Sequence, residues 1–203
     1  MLRYLTSGES HGKALMAILE GMPSGLKIQK EKIDSDLARR QSGYGRGARM
    51  QIEKDRVEII SGLRKGVTIG GPLGFLIYNK DSSIDSLGPV VNPRPGHADL
   101  AGALKYGFSD CRSVLERASA RETAIRAAVG AACKILLAEF DIYIKSRVLS
   151  IGAGFAGNKA REAIDGAAKK KDTLGGIFEV VASPVPAGLG SYVSADRRLD
   201  ACI

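Results

Sequence analysis

The sequence predicts a fold of mixed strands and helices, and three observations carry this prediction. Short apolar runs rich in β-branched residues alternate with glycine and proline turns. A long stretch, 119–140, is rich in alanine and contains no proline, which favours one long helix. The chain has 203 residues, of which 44% are apolar, so it can bury the core of one large domain or two small ones.

The spacing of apolar residues places each element along the chain. Runs with strand character lie at 2–6, 13–19, 57–61, 73–78, 142–151 and 175–182. Segments with a helical pattern lie at 29–40, 98–106, 119–140, 159–171 and 194–203. In the 119–140 segment, Ser119 with Glu122 fits a capping box. The small residues of that segment predict close packing against another helix in the interior.

The charge balance indicates an anionic partner. The chain carries 30 Lys and Arg against 22 Asp and Glu, a net charge of +8. With 5% aromatic residues and no tryptophan, it offers little for stacking nucleic-acid bases, which favours a small phosphorylated or carboxylated ligand. The sequence has no apolar run of about 18 residues for a membrane helix and no cleavable signal pattern. Cys111, Cys133 and Cys202 lack metal-ligand spacing, which predicts a reducing, cytoplasmic setting and no metal site.

Two histidines in polar, glycine-flanked segments are the candidates for proton transfer. His11 lies in the segment 8–12 (GESHG), and His97 lies in the segment 94–99 (RPGHAD). Imidazole exchanges protons near neutral pH, which makes both residues candidate acids or bases. The alternative is that both histidines are accidental surface residues.

Arginines are concentrated in a glycine-rich loop. Arg39, Arg40, Arg46 and Arg49 lie within eleven residues around the segment 42–47 (SGYGRG). Guanidinium groups so closely spaced can hold a phosphate or a carboxylate through paired hydrogen bonds. The alternative is an exposed, solvated basic loop.

Arg117 and Arg121 lie at the predicted start of the long helix. The positive end of a helix favours a bound phosphate, and two guanidinium groups there strengthen the site. The alternative is that these arginines only pair with Glu116 and Glu122.

Taken together, these segments resemble the motifs of the chorismate synthase family. Six resemblances occur in the family's order and cover essentially the whole chain: 8–12 with 20–23 (EGMP), 39–46 (RRQSGYGR), 94–99 with 105–107, 117–123 (RASARET), 172–176 (DTLGG) and 188–193 (GLGSYV).

The resemblance implies a fold and a reaction. The implied fold is α+β, a β-α-β sandwich of antiparallel sheets around central helices. The implied activity is that of a carbon–oxygen lyase, which removes phosphate from 5-enolpyruvylshikimate-3-phosphate by 1,4-anti elimination to give chorismate in the shikimate pathway. The cofactor is reduced FMN, with NADPH as a flavin reductant in some members. A cytoplasmic homotetramer without nucleic-acid or membrane partners is implied as well.

The resemblance also implies roles for single residues. His11 is the acid for the departing phosphate, and His97 protonates the reduced flavin. The remaining roles are substrate binding by Arg40, Arg46, Arg94 and Arg121, FMN binding by Arg117, Ala118 and Ser119, and NADP binding by Arg40 and Arg46.

The chain departs from the family pattern towards its C-terminus. Family members are much longer, so a single chorismate synthase-like domain over 1–203 is expected to be incomplete there and to lack an Arg-Ser-Asp signature. Ser194 and Ala195 stand where a bulkier polar–aromatic pair is expected. Two alternatives to an active enzyme follow, an inactive or oligomerising fragment of it and a basic nucleic-acid-binding module.

Overall fold

The computed structural model describes residues 2–47, 49–152, 154–155, 157–189 and 192–193. They fall into two compact units, Met1–Ile135 and Leu136–Ile203. The helix predicted at 194–203 and the pair Ser194–Ala195 lie outside the described residues. The single domain expected over 1–203 stays a prediction.

The first unit is built on a four-stranded antiparallel sheet of order β1-β2-β6-β3. Its strands, together with a two-stranded hairpin formed by β4 and β5, are β1 (Arg3–Ser7), β2 (Ala14–Glu20), β3 (Glu58–Ser61), β4 (Leu63–Arg64), β5 (Val67–Thr68) and β6 (Leu73–Tyr78). One face of the sheet is buried: Leu15 and Leu19 of β2 and Phe75 of β6 are almost wholly inaccessible. Strand alternation turns Met16 and Ile18 to the other, exposed face.

The helices that lie wholly or mainly in this unit bury apolar side chains as well. They are α1 (Lys30–Gln41), α2 (Arg49–Ile52), α3 (Asp99–Tyr106), α4 (Arg112–Arg117) and α5 (Thr123–Ala138), with 3-10 turns at Ile84–Ser86 and Ala120–Glu122. Helix α1 buries Ile33 and Leu37, as its four-residue spacing predicts.

The alanine-rich helix lies beside α1 in the interior, as its small residues predict. Ala124, Ala128 and Ala131 of α5 are buried. Lys134 of α5 pairs with Asp36 of α1 at 2.6 Å. The last turn of α1 and the first residue of α5 also meet, through the contact of Arg40 with Thr123, so the two helices run antiparallel.

The start of the long helix differs from the prediction. Helix α5 begins at Thr123, and Ser119 caps a 3-10 turn instead, accepting a hydrogen bond from Arg121 N at 3.3 Å. The predicted capping box is wrong because the Glu122 carboxylate is used elsewhere: it accepts from Thr6 Oγ1 at 2.5 Å and pairs with Arg117 at 3.4 Å. These contacts with distant residues outweigh the local one.

The second unit contains a three-stranded antiparallel sheet and a helix. Its elements are β7 (Tyr143–Ile151), β8 (Gly154–Phe155), α6 (Asn158–Lys170) and β9 (Gly176–Ser183), with sheet order β8-β7-β9. Arg147 and Glu179 lie directly opposite each other on β7 and β9 and pair at 2.7 Å. No helix among the described residues is long and apolar enough to cross a membrane.

The α+β fold is confirmed. All strand pairs of the described sheets are antiparallel, and the helices occupy separate stretches of the chain. The β4–β5 hairpin and the helices α2 and α4 were not predicted, because segments of two to six residues are too short to show a period.

Replacing Leu37 by alanine tests the contact of α1 with the core. Leu37 is wholly buried, so we expect the variant to lose about 2–5 kcal/mol of unfolding free energy through lost burial and a residual cavity. Urea unfolding followed by circular dichroism measures this loss. Leu104→Ala is the matched control, because Leu104 also lies on a helix but is 75% exposed. Equal losses in the two variants would contradict the packing described.

Candidate active site

His11 lies in the turn between β1 and β2. Its Nδ1 is 2.7 Å from Glu116 Oε2, and its Nε2 faces Arg49 Nη1 at 3.2 Å and Asp81 Oδ2 at 3.6 Å. Gly8 opens this turn with a φ of 102°, where a side chain would collide with the backbone of Ala14. The histidine of the first motif therefore sits among one cation and two carboxylates.

Glu116, at the end of α4, holds His11 from the interior of the protein. Its buried Oε2 accepts both the backbone N–H of His11, at 2.9 Å, and the ring contact at Nδ1. Burial alone would raise the pKa of Glu116, but the hydrogen bonds from His11, with one from Arg112, outweigh burial and lower it. An ionised carboxylate can only accept, so these contacts assign the ring proton of neutral His11 to Nδ1.

Arg49 occupies the other side of the histidine. From α2, its Nη1 donates to Ser10 Oγ at 2.6 Å and its Nη2 donates to the carbonyl oxygen of Ser10. The Nε of Arg49 is buried without a hydrogen-bond partner among the described residues. The sequence places Arg49 in the arginine cluster but assigns it no role.

A buried ion network continues from Arg49. Glu53 Oε1 lies 3.4 Å from Arg49 Nη2, and Glu53 Oε2 lies 3.6 Å from Arg121 Nη2. Burial would raise the pKa of Glu53, but the backbone N–H of Lys80 and then the Arg121 guanidinium outweigh burial and lower it. Glu53 therefore stays ionised between two cations.

Arg121 is the centre of this network. It is buried, and its Nη1 contacts Asp55 Oδ2 at 2.8 Å while its Nε donates to Asn79 Oδ1 at 2.9 Å. Asn79 in turn donates to the carbonyl oxygen of Gly12 at 2.7 Å, which ties the network to the His11 turn. Within the described part of the chain, Arg121 Nη2 has no hydrogen-bond partner.

Arg40 joins the network at its far end. Its Nη1 lies 3.4 Å from Asp55 Oδ2, and its Nη2 donates to Thr123 Oγ1 at 2.8 Å. Burial is the largest cause that lowers the pKa of Arg40, while Asp55 opposes that shift. The structure thus brings His11, Arg40 and Arg121 together through residues that the sequence did not single out.

The alternative prediction, that the arginines at the helix start only pair with Glu116 and Glu122, is partly correct. Arg117 pairs with Glu122, at 3.4 Å, and also donates to the carbonyl oxygen of Thr6 at 2.9 Å. Arg121 pairs with Asp55 and Glu53 instead of either predicted glutamate. The predicted FMN segment 117–119 consists of the last residue of α4 and the two residues before the 3-10 turn, with Ala118 exposed.

His97 belongs to a second histidine–carboxylate group. Its Nδ1 makes a short contact with Oδ1 of Asp99, whose other oxygen accepts from Arg94 Nε at 2.9 Å and from Arg94 N at 3.1 Å. The Arg94 side chain is the largest cause that holds the pKa of Asp99 well below its usual range, against the effect of burial. No contact between described residues joins this group directly to His11.

Arg46 is exposed, and its charge is a minor cause, after burial, of the lowered pKa of Arg40. It lies in the exposed loop after α1, where its Nε donates to the carbonyl oxygen of Ser42 at 3.3 Å. Among the residues that the structure describes, no cluster of three or more His, Cys, Asp or Glu side chains could hold a metal ion.

Sequence reasoning missed the carboxylates of the site. They are Glu53, Asp55, Asp81, Asp99 and Glu116. A usable signal was present for two of them, because Asp99 lies inside the His97 segment and Glu116 directly precedes Arg117. In a chain of net charge +8, acidic residues next to motifs with histidine or arginine are candidates to hold those side chains.

Removal of the Arg121 guanidinium tests the ion network. In Arg121→Met, the buried carboxylates of Glu53 and Asp55 lose an ion-pair partner. We therefore expect the free energy of unfolding to fall by about 3–5 kcal/mol. Chemical denaturation at pH 7 measures this loss. Arg56→Met is the control: its side chain is 77% exposed and lies 3.6 Å from Asp34, so we expect a change below about 1 kcal/mol. A small loss for Arg121→Met would refute the network.

Asp99 predicts a specific dependence of stability on pH. A carboxyl with a lowered folded-state pKa contributes stability above its unfolded pKa, about 3.9, and loses that contribution as the pH falls through the folded value. We therefore expect the parent chain to lose more stability than Asp99→Asn as the pH falls below about 4. Urea midpoints measured from pH 7 to pH 2 test this, and parallel curves for parent and variant would contradict it.

Known proteins similar to this chain include several chorismate synthases. The family model described as chorismate synthase matches residues 2–203. A chorismate synthase of Thermoanaerobacter pseudethanolicus is 57% identical over 205 residues, which cover 100% of this chain and 59% of that protein. One of Geobacillus thermodenitrificans is 48% identical over 243 residues, with coverage of 100% and 63% respectively.

A solved structure has a similar fold. A crystal structure of chorismate synthase superposes with a TM-score of 0.80 at 41% identity, covering 98% of this chain and 62% of that chain. The chain spans about three fifths of the length of the curated relatives it matches. With a family model matched over residues 2–203 and the same fold in a solved relative, this chain belongs to the chorismate synthase family.

Proposed function

We propose that the chain serves the chorismate synthase reaction, the 1,4-anti elimination of phosphate and a ring proton from 5-enolpyruvylshikimate-3-phosphate to give chorismate. The observation that carries this proposal is the setting of His11. A buried carboxylate holds its Nδ1, and its Nε2 lies beside the guanidinium of Arg49. A proton donor next to a cation suits a departing phosphate.

His11 acts as the acid at its Nε2 atom. As the carbon–oxygen bond breaks, negative charge develops on the phosphate oxygen, and a proton from Nε2 reduces that charge. Glu116, 2.7 Å from Nδ1, balances the positive charge that the ring carries before the transfer. Arg49, 3.2 Å from Nε2, is in place to hold another phosphate oxygen.

The arginines bind the anionic substrate, which carries a phosphate and two carboxylates. Arg49 Nε and Arg121 Nη2 are buried donors with no hydrogen-bond partner among the described residues, as expected of groups kept for a ligand. Glu53 and Asp55 hold Arg40, Arg49 and Arg121 in place before the ligand arrives. We propose that Arg46 and Arg94 add to this basic pocket.

Reduced FMN fits the turn at 117–119. Within the described contacts, the Ser119 hydroxyl oxygen accepts from Arg121 N and keeps its own proton to donate, and the Arg117 side chain is 40% exposed. A guanidinium and a hydroxyl suit the oxygen atoms of a flavin mononucleotide, and we propose Arg117, Ala118 and Ser119 as its contacts. Held by these residues, reduced FMN would provide transient electron density for the elimination.

His97 is the second proton-transfer residue of the proposal. Asp99 holds its Nδ1, which leaves Nε2 as the atom that would donate a proton to a bound reduced flavin. Arg40 and Arg46 are the proposed contacts of NADPH, should the chain reduce its own flavin.

The proposal includes a cytoplasmic homotetramer. Its support is the outer face of the β1-β2-β6-β3 sheet, where Leu5 is 76% exposed and Met16, Ile18 and Ile60 are exposed as well. An apolar sheet face of this kind is commonly covered by another subunit.

The nucleic-acid alternative is less well supported. Two of the four arginines in the basic cluster, Arg40 and Arg49, are only 12% and 25% exposed and pair with Asp55 and Glu53, so a long phosphate backbone reaches them less readily than a small ligand does. Steeply salt-dependent binding to DNA or RNA would favour that alternative.

Anaerobic turnover with reduced FMN tests the proposed function. We expect chorismate, followed by its absorbance, from 5-enolpyruvylshikimate-3-phosphate. His11→Ala and His97→Ala should each lower the turnover number by about 10²–10⁴-fold, because each removes a proton donor. Circular dichroism checks that both variants keep the fold.

Two results would count against the proposal. Unchanged turnover in both variants would remove the proton-transfer roles. Absence of chorismate, together with a sedimentation mass that shows an oligomer and no change of the FMN spectrum on mixing, would favour the inactive, oligomerising alternative.

A further inference from the structure

We infer that Glu116 is a positioning residue for His11: its buried carboxylate accepts the Nδ1 proton and so reserves Nε2 for proton exchange with the ligand. The identity of that ligand rests on the proposed function. The assignment of the proton to Nδ1 rests on the contacts of the folded chain alone.

Glu116 holds the His11 turn through three hydrogen bonds. The carboxylate Oε2 receives the backbone N–H of His11 at 2.9 Å and the ring Nδ1 at 2.7 Å. The carbonyl oxygen of Glu116 receives the backbone N–H of Ser10 at 3.0 Å. Because main chain and ring of one residue converge on one oxygen, the imidazole has little freedom to rotate about its first side-chain bond.

The carboxylate is itself fixed in orientation. Its second oxygen, Oε1, accepts from Arg112 Nη1 at 3.2 Å. Arg112 is anchored in turn, since its Nε and Nη2 donate to the carbonyl oxygen of Gly88 at 3.0 Å and 2.8 Å. Glu116 is 1% exposed, so water does not compete for these bonds and each is stronger than at the surface.

The hydrogen-bond contacts at both ends of the ring favour the same tautomer; the third charged group, Asp81 Oδ2, lies 3.6 Å from Nε2, which is beyond hydrogen-bond distance. A carboxylate can only accept, so the nitrogen facing Glu116 must carry the proton. A guanidinium can only donate, so the nitrogen facing Arg49 at 3.2 Å must offer a lone pair. The neutral ring therefore has its proton on Nδ1 and an unprotonated Nε2 that faces Arg49 Nη1. The acid of the proposed function is the protonated ring, which carries a second proton on Nε2.

A carboxylate with only a structural role would not need to contact a histidine ring. Asp34 shows what such a carboxylate does: it accepts from the backbone N–H of Val57 at 2.9 Å and from Lys30 at 2.6 Å, with no histidine among its described contacts. The distinguishing observable is the protonation state of each ring nitrogen of His11.

Nitrogen-15 NMR of the ring measures this directly. The chain has only two histidines, so His97→Gln identifies the His11 signals in the spectrum of the parent. We expect His11, in its neutral form, to show a protonated Nδ1 whose hydrogen exchanges slowly with water, and an unprotonated Nε2. A proton on Nε2, or equal populations of the two tautomers, would overturn the inference without any change to Glu116.

Glu116→Gln provides the second test. Its amide has one acceptor oxygen, which cannot serve both His11 and Arg112 as the two carboxylate oxygens do. We expect the Nδ1 hydrogen signal to move upfield or to vanish through exchange with water, while Asp34→Asn, the matched control, leaves the signal unchanged. An unchanged signal in Glu116→Gln would overturn the inference.

Turnover adds a readout that separates this inference from the proposed function. Loss of a partner that orients a functional histidine typically lowers activity about 10–100-fold, so we expect that decrease in kcat with little change in KM. If the NMR result is as expected but the parent chain makes no chorismate, the proposed function fails and the positioning role stands. If turnover and the NMR signal are both insensitive to Glu116→Gln, the positioning role fails.

Discussion

The pairing of buried carboxylates with arginines is the constraint on which the site depends. Glu53 and Asp55 are almost wholly buried, and a charge can stay in the interior only if an opposite charge and hydrogen bonds satisfy it. Arg121 meets that requirement by contacting both. Because these residues come from different parts of the chain, one network joins the end of α1, the segment after α2, the end of β6 and the turn before α5.

Both histidines are oriented by the same arrangement of a carboxylate and an arginine. Each has a buried carboxylate on Nδ1, Glu116 for His11 and Asp99 for His97, and each carboxylate is also bound by an arginine, Arg112 or Arg94. The arginine fixes the carboxylate, and the carboxylate fixes the Nδ1 side of the ring. Although the chain has a net charge of +8, it uses two buried carboxylates to hold the two histidines that we propose as proton-transfer residues.

Local patterns predicted the longer elements well. The strand at 73–78 coincides with β6, and the helix at 29–40 with α1, because their apolar residues follow the strand or helix period over a full element. Elements without a full period were missed, α2 and α4 among them, although these two carry Arg49 and Glu116. The capping box failed because Glu122 binds Thr6, a residue 116 positions away.

The sequence by itself determined the longer strands and helices, the family motifs and the identity of the two histidines, since these depend on residues close together in the chain. The tertiary structure alone decided which side chains contact the histidines and arginines of the site. Glu116 lies 105 residues from His11, and Asp55 lies 66 residues from Arg121. Such pairs form because folding removes water from around these side chains, and a buried charge without a partner would raise the free energy of the folded state. The local sequence pattern does not show which side chains will be buried together.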